Sequence, residues 1–550
     1  MRPGWPALFL ALLLTDSLLG AVPPPPENER WLTVNAGDFV VYSSGSPGQT
    51  SKIAAELVRL QNAVAKAAGL SVRPPRPIEV YIFRDEEGFA PIRDALFLRR
   101  SAGVSGAVLQ SSRGCLVLLQ ADAAPAANRV VFHEVTHQLL RNAAPSLPLW
   151  VHEGVAEYFS TFRGKERDVN VGIPVTTHLE LLRSGKRMTP AQLAAVDATS
   201  GELNESRREG LFYAESWLRA HSAFDRGTPL PALDTAEPAA GYAPKPRSYA
   251  TEEIAIDAMP MPRADVLRVL GQLLTNSEET LGDAESRFSE AIALDPKNAL
   301  AVAGLAEVHE LRGQTAAATL AFEKAIALGA PASAIARYGT FLLERKDVVK
   351  ARQIFERAAQ LDPALPAAQA GLGEVYLRSE GDPSPGIAPL EKALALAPGL
   401  ERAALALAEL YGRSGRRADA QRVFDHYLRS SANPETFRLG RESILFADLK
   451  RADDLLAAGK DEEAKALIRT VQAKTTSPRL KAHLDGILQK RMSIDQQLEI
   501  AQSAIAKADA GNFAEAVRIL DELLPAIEDA DFKRRVQSLR DDFAAKSSHK

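Results

Sequence analysis

The stretch VVFHEVTHQLLRNAAPSLPLWVHEGVAEYF, Val130 to Phe159, governs how the whole chain is read. It holds His133-Glu134-Val135-Thr136-His137, an HExxH pattern. Sixteen residues after the second histidine comes Glu153-Gly154-Val155-Ala156-Glu157. Positions i and i+4 share one face of a helix, so His133 and His137 can aim two imidazoles at one point. Val131, Phe132, Leu139 and Leu140 supply the apolar side that a half-buried helix needs. Arg141-Asn142-Ala143-Ala144-Pro145 reads as a helix stop, and Pro148 falls near the first turn of a second helix. The turn between them is long enough to reverse the chain and bring Glu153 back beside the histidines. Two imidazoles and one carboxylate with a fourth position open make the ligand set of a catalytic zinc, one Zn2+ per chain. Glu134, next to His133, is then the general base acting on the bound water.

Length and composition bound the rest. With 550 residues the chain has room for two to four domains. It is 46% hydrophobic and 25% charged, a soluble globular balance. A formal net charge of −4 speaks against nucleic acid or an anionic membrane as partner. Cys115 is the only cysteine, so an intrachain disulfide and a thiolate zinc site are both excluded. It lies in an apolar run, which suggests a buried structural thiol.

Residues 1–21 read as a signal peptide: Arg2, an apolar core from Trp5 to Leu14, then Leu18-Leu19-Gly20-Ala21 for cleavage. That core is too short to span a bilayer, which takes about 20 residues. The expectation is export to the periplasm or the medium of a bacterium, with no stable membrane span after cleavage. Residues 22–30 form a proline-rich spacer. Strands are expected over Trp31–Ser43, Ile78–Phe83 and Gly114–Gln120, and helices over Ser51–Ala68 and Asp85–Leu96.

HEVTH followed by WVHEGVAEYF resembles the gluzincin metallopeptidases, and most of all the peptidase MA-like domains that occur fused to tetratricopeptide repeats. The resemblance implies that Glu153 is the third zinc ligand and that Glu157 orients a ligand histidine. It implies a peptide or protein substrate held against a sheet edge beside the metal helix, with Leu116 and Leu118 on the candidate strand. A buried central strand fits residues 114–120 equally well. The segment around Phe212-Tyr213-Ala214-Glu215 is similar to the gluzincin helix that carries an oxyanion donor, which points to Tyr213. Position 152 is His where M1 aminopeptidases usually have Asn, and no GxMEN segment is present. An endopeptidase is therefore favoured over an aminopeptidase. This domain is placed at 31–228, with a proline-rich linker at 229–262.

From residue 263 the chain turns to Ala, Leu, Glu and Lys with a repeat. Phe288, Phe322, Phe355, Leu390 and Phe424 are spaced 34, 33, 35 and 34 residues apart. Small residues stand four positions before each: Ala284, Ala318, Ala351, Gly386 and Ala420. Period, residue type and position together resemble the tetratricopeptide repeat. Repeats are placed at 263–436 and degenerate helical repeats with a tail at 437–550, where Gly459–Ala464 and Gly511–Ala516 keep the G-x4-A turn of Gly313–Ala318. The resemblance implies a protein partner on the solenoid.

The expected fold is an α+β metallopeptidase-like domain followed by an all-α tetratricopeptide solenoid. The expected function is an exported zinc metallopeptidase with a partner-binding arm. The alternative is an inactive peptidase-like protein that acts as a repeat scaffold.

Overall fold

A computed structural model describes residues 22–547, apart from 75, 98–104, 112–113, 123–127, 166–167, 186, 201–205, 231–237, 240, 253, 432, 476–477, 490–493 and 528. The expected signal peptide, residues 1–21, lies outside the described residues.

The stretch Trp31–Ser43 is a hairpin rather than one strand: β1 (Leu32–Ala36) and β2 (Phe39–Ser43) turn at Gly37, whose φ of +62° suits glycine. Next come α1 (Pro47–Ala68), β3 (Ile78–Phe83), α2 (Glu86–Phe97), β4 (Gly106–Ser111) and β5 (Gly114–Gln120). The start of α1 is set by Ser46 and Gln49, which bond each other's backbone in a capping box. The metal-motif helices are α3 (Arg129–Ala143) and α4 (Leu149–Ser160). After them come β6 (Arg163–Lys165), β7 (Asp168–Val171), α5 (Thr176–Arg183), α6 (Pro190–Ala195) and α7 (Ser206–Asp225). The proline-rich 229–262 stretch contributes β8 (Arg247–Ala250) and β9 (Met259–Pro260).

Six strands form one sheet in the order β4-β5-β3-β2-β1-β9. The strands β2, β3 and β5 run parallel, with Val80 opposite Val117 and Leu118 opposite Tyr81. Alternate residues serve opposite faces. Val80, Ile82, Val117 and Leu119 pack with Leu57 and Leu60 of α1 and with Val131 and Val135 of α3. Tyr81, Phe83, Leu116 and Leu118 pack with α2 and with two helices from the repeats, α8 (Arg263–Leu274) and α9 (Leu281–Leu294). A sheet covered on both faces reads as continuous apolar runs, which is why residues 114–120 show no alternation.

This corrects the placing of Leu116 and Leu118 on a substrate edge. The strand β5 lies between β3 and β4, and the two side chains are 1% and 0% exposed. The edge beside the metal helix is β4.

Beyond α9, antiparallel helix pairs follow at 299–311 with 315–327, 332–344 with 348–361, 366–378 with 387–396, and 401–413 with 417–428. Two of the periodic Phe residues, Phe288 and Phe355, fill notches made by glycines. A Cβ on Gly304 would stand 2.2 Å from the Phe288 ring, and one on Gly371 would stand 2.1 Å from that of Phe355. This part of the chain is a tetratricopeptide solenoid. It belongs to one compact unit with the sheet, running to Ser414 and including Ala418–Ser443. The second unit, Gly415–Arg417 with Ile444–Lys550, is helical and has its own core around Ala504, Leu520, Leu523 and Val536. Gly313, Gly415, Gly459 and Gly511, the turn glycines of the repeat pattern, all have left-handed φ of +69° to +79°.

Among the described residues no helix is long and apolar enough to cross a membrane.

Candidate metal centre

The helix α3 buries Val131, Val135 and Leu139 against the sheet and turns His133, Glu134 and His137 the other way. It ends at Ala144, and α4 starts after Pro148. In α4, Gly154 lets the backbone of α7 come close: a Cβ there would lie 2.3 Å from the Ser216 carbonyl oxygen. That approach sets the α4–α7 spacing and carries Tyr213 of α7 to within 6.3 Å of His133, ring centre to ring centre.

The structure brings His133, His137 and Glu153 together. The two Nε2 atoms are 3.1 Å apart, and each is 3.3 Å from Glu153 Oε2. That carboxylate is 6% exposed, and its Oε2 is buried without a hydrogen-bond partner among the described residues. Three lone-pair atoms facing one another repel unless a proton or a cation lies between them. Zinc bonds of about 2.0–2.1 Å at tetrahedral angles set ligand-to-ligand edges of roughly 3.3 Å. The triangle therefore fits a zinc ion. A divalent ion bound there would polarise a coordinated water.

Electrostatics around the triangle favour cations. Burial pushes the His133 imidazolium down, but the Glu153 and Glu157 carboxylates, 3.3 and 3.1 Å from its ring nitrogens, outweigh it and lift the ring to about 10. Burial raises Glu153, and the neighbouring His137 and His133 overcome it and hold the carboxyl far below the usual range. Glu157 is likewise held far below that range: burial raises it, and bonds to His133 and His178 reverse the sign. Glu157 Oε1 lies 3.1 Å from His133 Nδ1, while Oε2 accepts from Arg129 at 2.6 Å and meets His178 Nε2 at 3.0 Å. Glu157 thus ties the outer nitrogen of His133 to two further basic groups.

Arg129 and His178 were missed in the sequence. No spacing rule connects His178 to Glu157, 21 positions earlier. His221 bonds Tyr242 and the Gly172 carbonyl inside the core. Cys115 is buried, which raises its thiol to about 12.

A cavity of about 240 Å³ opens beside the triangle. Glu134, Tyr213 and His152 line it, and so do Glu401, Tyr427 and Ser430 of the solenoid. Three contacts seat the solenoid there. The Gly399 amide donates to Asn142 Oδ1 at 2.6 Å, Ser430 Oγ donates to the Pro145 carbonyl at 2.7 Å, and Arg141 lies 3.7 Å from Glu401. The repeats therefore form one wall of the cavity beside the candidate metal triangle.

No family model matches the chain. The cellulose synthase operon protein C of Xanthomonas axonopodis pv. citri (strain 306) is 28% identical over 283 residues, covering 45% of this chain and 18% of that protein. The chain thus spans less than a fifth of that relative. Among solved structures, Pseudomonas aeruginosa PilF matches at 22% identity over 39% of this chain and 93% of its own, with a TM-score of 0.31. The type IV pilus biogenesis factor PilW matches at 22% identity over 40% and 98%, with a TM-score of 0.30.

The expectation of a peptidase is corrected by the curated relative. It is described as an operon protein of cellulose synthase rather than as a peptidase, and the likeness favours the scaffold alternative.

Proposed function

We propose that the chain is a protein-interaction scaffold of the bacterial cell envelope, exported to the periplasm. Its tetratricopeptide solenoid holds a protein partner. Its α/β unit, gluzincin-like in motif, carries one zinc ion on His133, His137 and Glu153.

The observation that carries the scaffold reading is an open groove of about 590 Å³ on the solenoid. Leu394, Leu407 and Tyr411 line it, together with Glu391, Asp419 and Arg422. Apolar floor and charged rim are what a protein segment needs for affinity and orientation. The relative's description as a cellulose synthase operon protein supports an envelope setting.

The test uses the full chain expressed in bacteria with a photoreactive residue at Arg422, and with one at Lys324 as control. A discrete protein adduct from position 422 alone is expected, and it should disappear with Leu407→Glu. A second preparation, loaded with zinc, is incubated with casein beside Glu134→Gln. Cleavage by the wild type that the variant lacks, with no adduct at 422, would overturn the scaffold reading.

A further inference from the structure

Val22, which follows the expected signal peptide, is held on every side. Chain ends usually fray unless they are tied down. Val22 is 5% exposed and belongs to the core that Trp31, Phe89 and Leu267 form between the sheet and the first solenoid helices. Its backbone nitrogen donates to Asp283 Oδ2 at 2.9 Å. Its carbonyl accepts from Arg287 Nη2 at 2.8 Å, and Arg287 is itself buried. Arg263 then donates to the carbonyls of Pro25 and Pro26 at 2.6 and 3.0 Å. Asp283 has no ion pair with a side chain among the described residues, whereas Arg287 pairs with Glu290 at 3.2 Å. In this group two carboxylates face one guanidinium, and one negative charge is left over.

We propose that the chain is cut between Ala21 and Val22 and that the new end docks on Asp283 as an α-ammonium. Gly20-Ala21 supplies the small residues that such a cut follows. Water adds across the peptide bond under an envelope endopeptidase of the host. Its oxygen goes to the Ala21 carboxylate and its two protons to the Val22 nitrogen. Before the cut that nitrogen is a neutral amide with one N–H. After it, the nitrogen carries the positive charge that the group lacks, and a half-buried carboxylate gains its counter-charge. Val22 is buried in the folded protein, so the cut precedes folding. The ion pair then ties the new end to the joint between sheet and solenoid.

The inference rests on the export reading, and the test separates the two. All 550 residues are expressed in a bacterium, the periplasm is released by osmotic shock, and the terminal peptide is read by mass spectrometry. Periplasmic protein that begins at Val22 is expected. Periplasmic protein that begins elsewhere overturns this inference alone, and protein kept in the cytoplasm overturns export as well. Docking is read on full-length chains made to start at Val22 or at Ala21 by cutting a removable fusion. Their α-amines are acetylated at about pH 7 with sulfosuccinimidyl acetate, and the terminal peptide is followed by mass. In the chain from Val22 the amine should react at least about tenfold more slowly than in its Asp283→Asn variant, the factor set by one charged hydrogen bond. In the chain from Ala21 the amine stands one residue, about 3.8 Å, further along, and Asp283→Asn should leave its rate unchanged. Equal rates for the Val22 amine with and without Asp283 overturn the docking. The same dependence on Asp283 in both chains does so too.

Discussion

Glu157 shows how much one carboxylate can organise. Both of its oxygens are engaged, one at His133 and the other at Arg129 and His178. Glu157→Gln keeps the shape and removes the charge that orients the His133 ring. Zinc affinity should fall by about 10- to 100-fold, as measured by competition with a chromogenic chelator. Binding should also be linked to protons. Without metal His133 titrates at about 10, so near pH 7 it carries a proton that zinc must displace. Affinity should therefore weaken as pH falls from 9 to 7, by up to tenfold per unit for one proton. Calorimetry in buffers of different ionisation enthalpy should report about one proton released. An affinity flat across that range would show that His133 is already bare. At this scale the sequence is informative wherever chemistry sits at helical spacing. His133, Glu134 and His137 can be found because i and i+4 suffice. Arg129 and His178 cannot, because only packing of separate elements joins them to Glu157.

Helices and strands give a mixed return. Gly154 looks like an ordinary weak spot in a helix, yet it is where α4 and α7 touch backbone to backbone. Gly154→Ala forces a methyl against the Ser216 carbonyl and should cost about 1–3 kcal/mol, seen as a lower Tm. Zinc affinity should drop with it, since α4 carries Glu153. A variant as stable as the wild type would mean that α7 moves aside freely. The same logic explains the repeat pattern: Phe288 and Phe355 recur at fixed intervals because glycines on adjacent helices leave room for their rings. Strand β5 shows where sequence reasoning stops. Its apolar run fits an edge against a ligand or a strand buried on both faces, and pattern alone does not choose. The deciding residues lie in α8 and α9, about 150 positions along the chain, which cover Leu116 and Leu118.

The same covering helices determine what the whole molecule can tolerate. Cutting after residue 262 strips α8 and α9 from the sheet and bares Tyr81, Phe83, Leu116 and Leu118. A fragment of residues 22–262 should bind a hydrophobic dye strongly and aggregate, whereas a chain ending at 443 should not. A soluble, dye-negative fragment would show that the α/β unit stands alone. The two-part architecture could be seen in advance from the composition change near residue 263. Its fusion into one unit could not, because the contacts that join the parts involve residues hundreds of positions apart, such as Arg287 with the Val22 carbonyl at 2.8 Å.

Solenoids generally lengthen or shorten by whole modules without harm, because each module touches only its neighbours. Here the first helices are fixed to the sheet, and residues 399 and 430 are fixed to the end of the metal helix. Inserting or deleting one module between those anchor points would pull Tyr427 and Glu401 out of register with the histidines. The number of modules in that span is therefore a fixed dimension of the pocket, as unforgiving as a bond length.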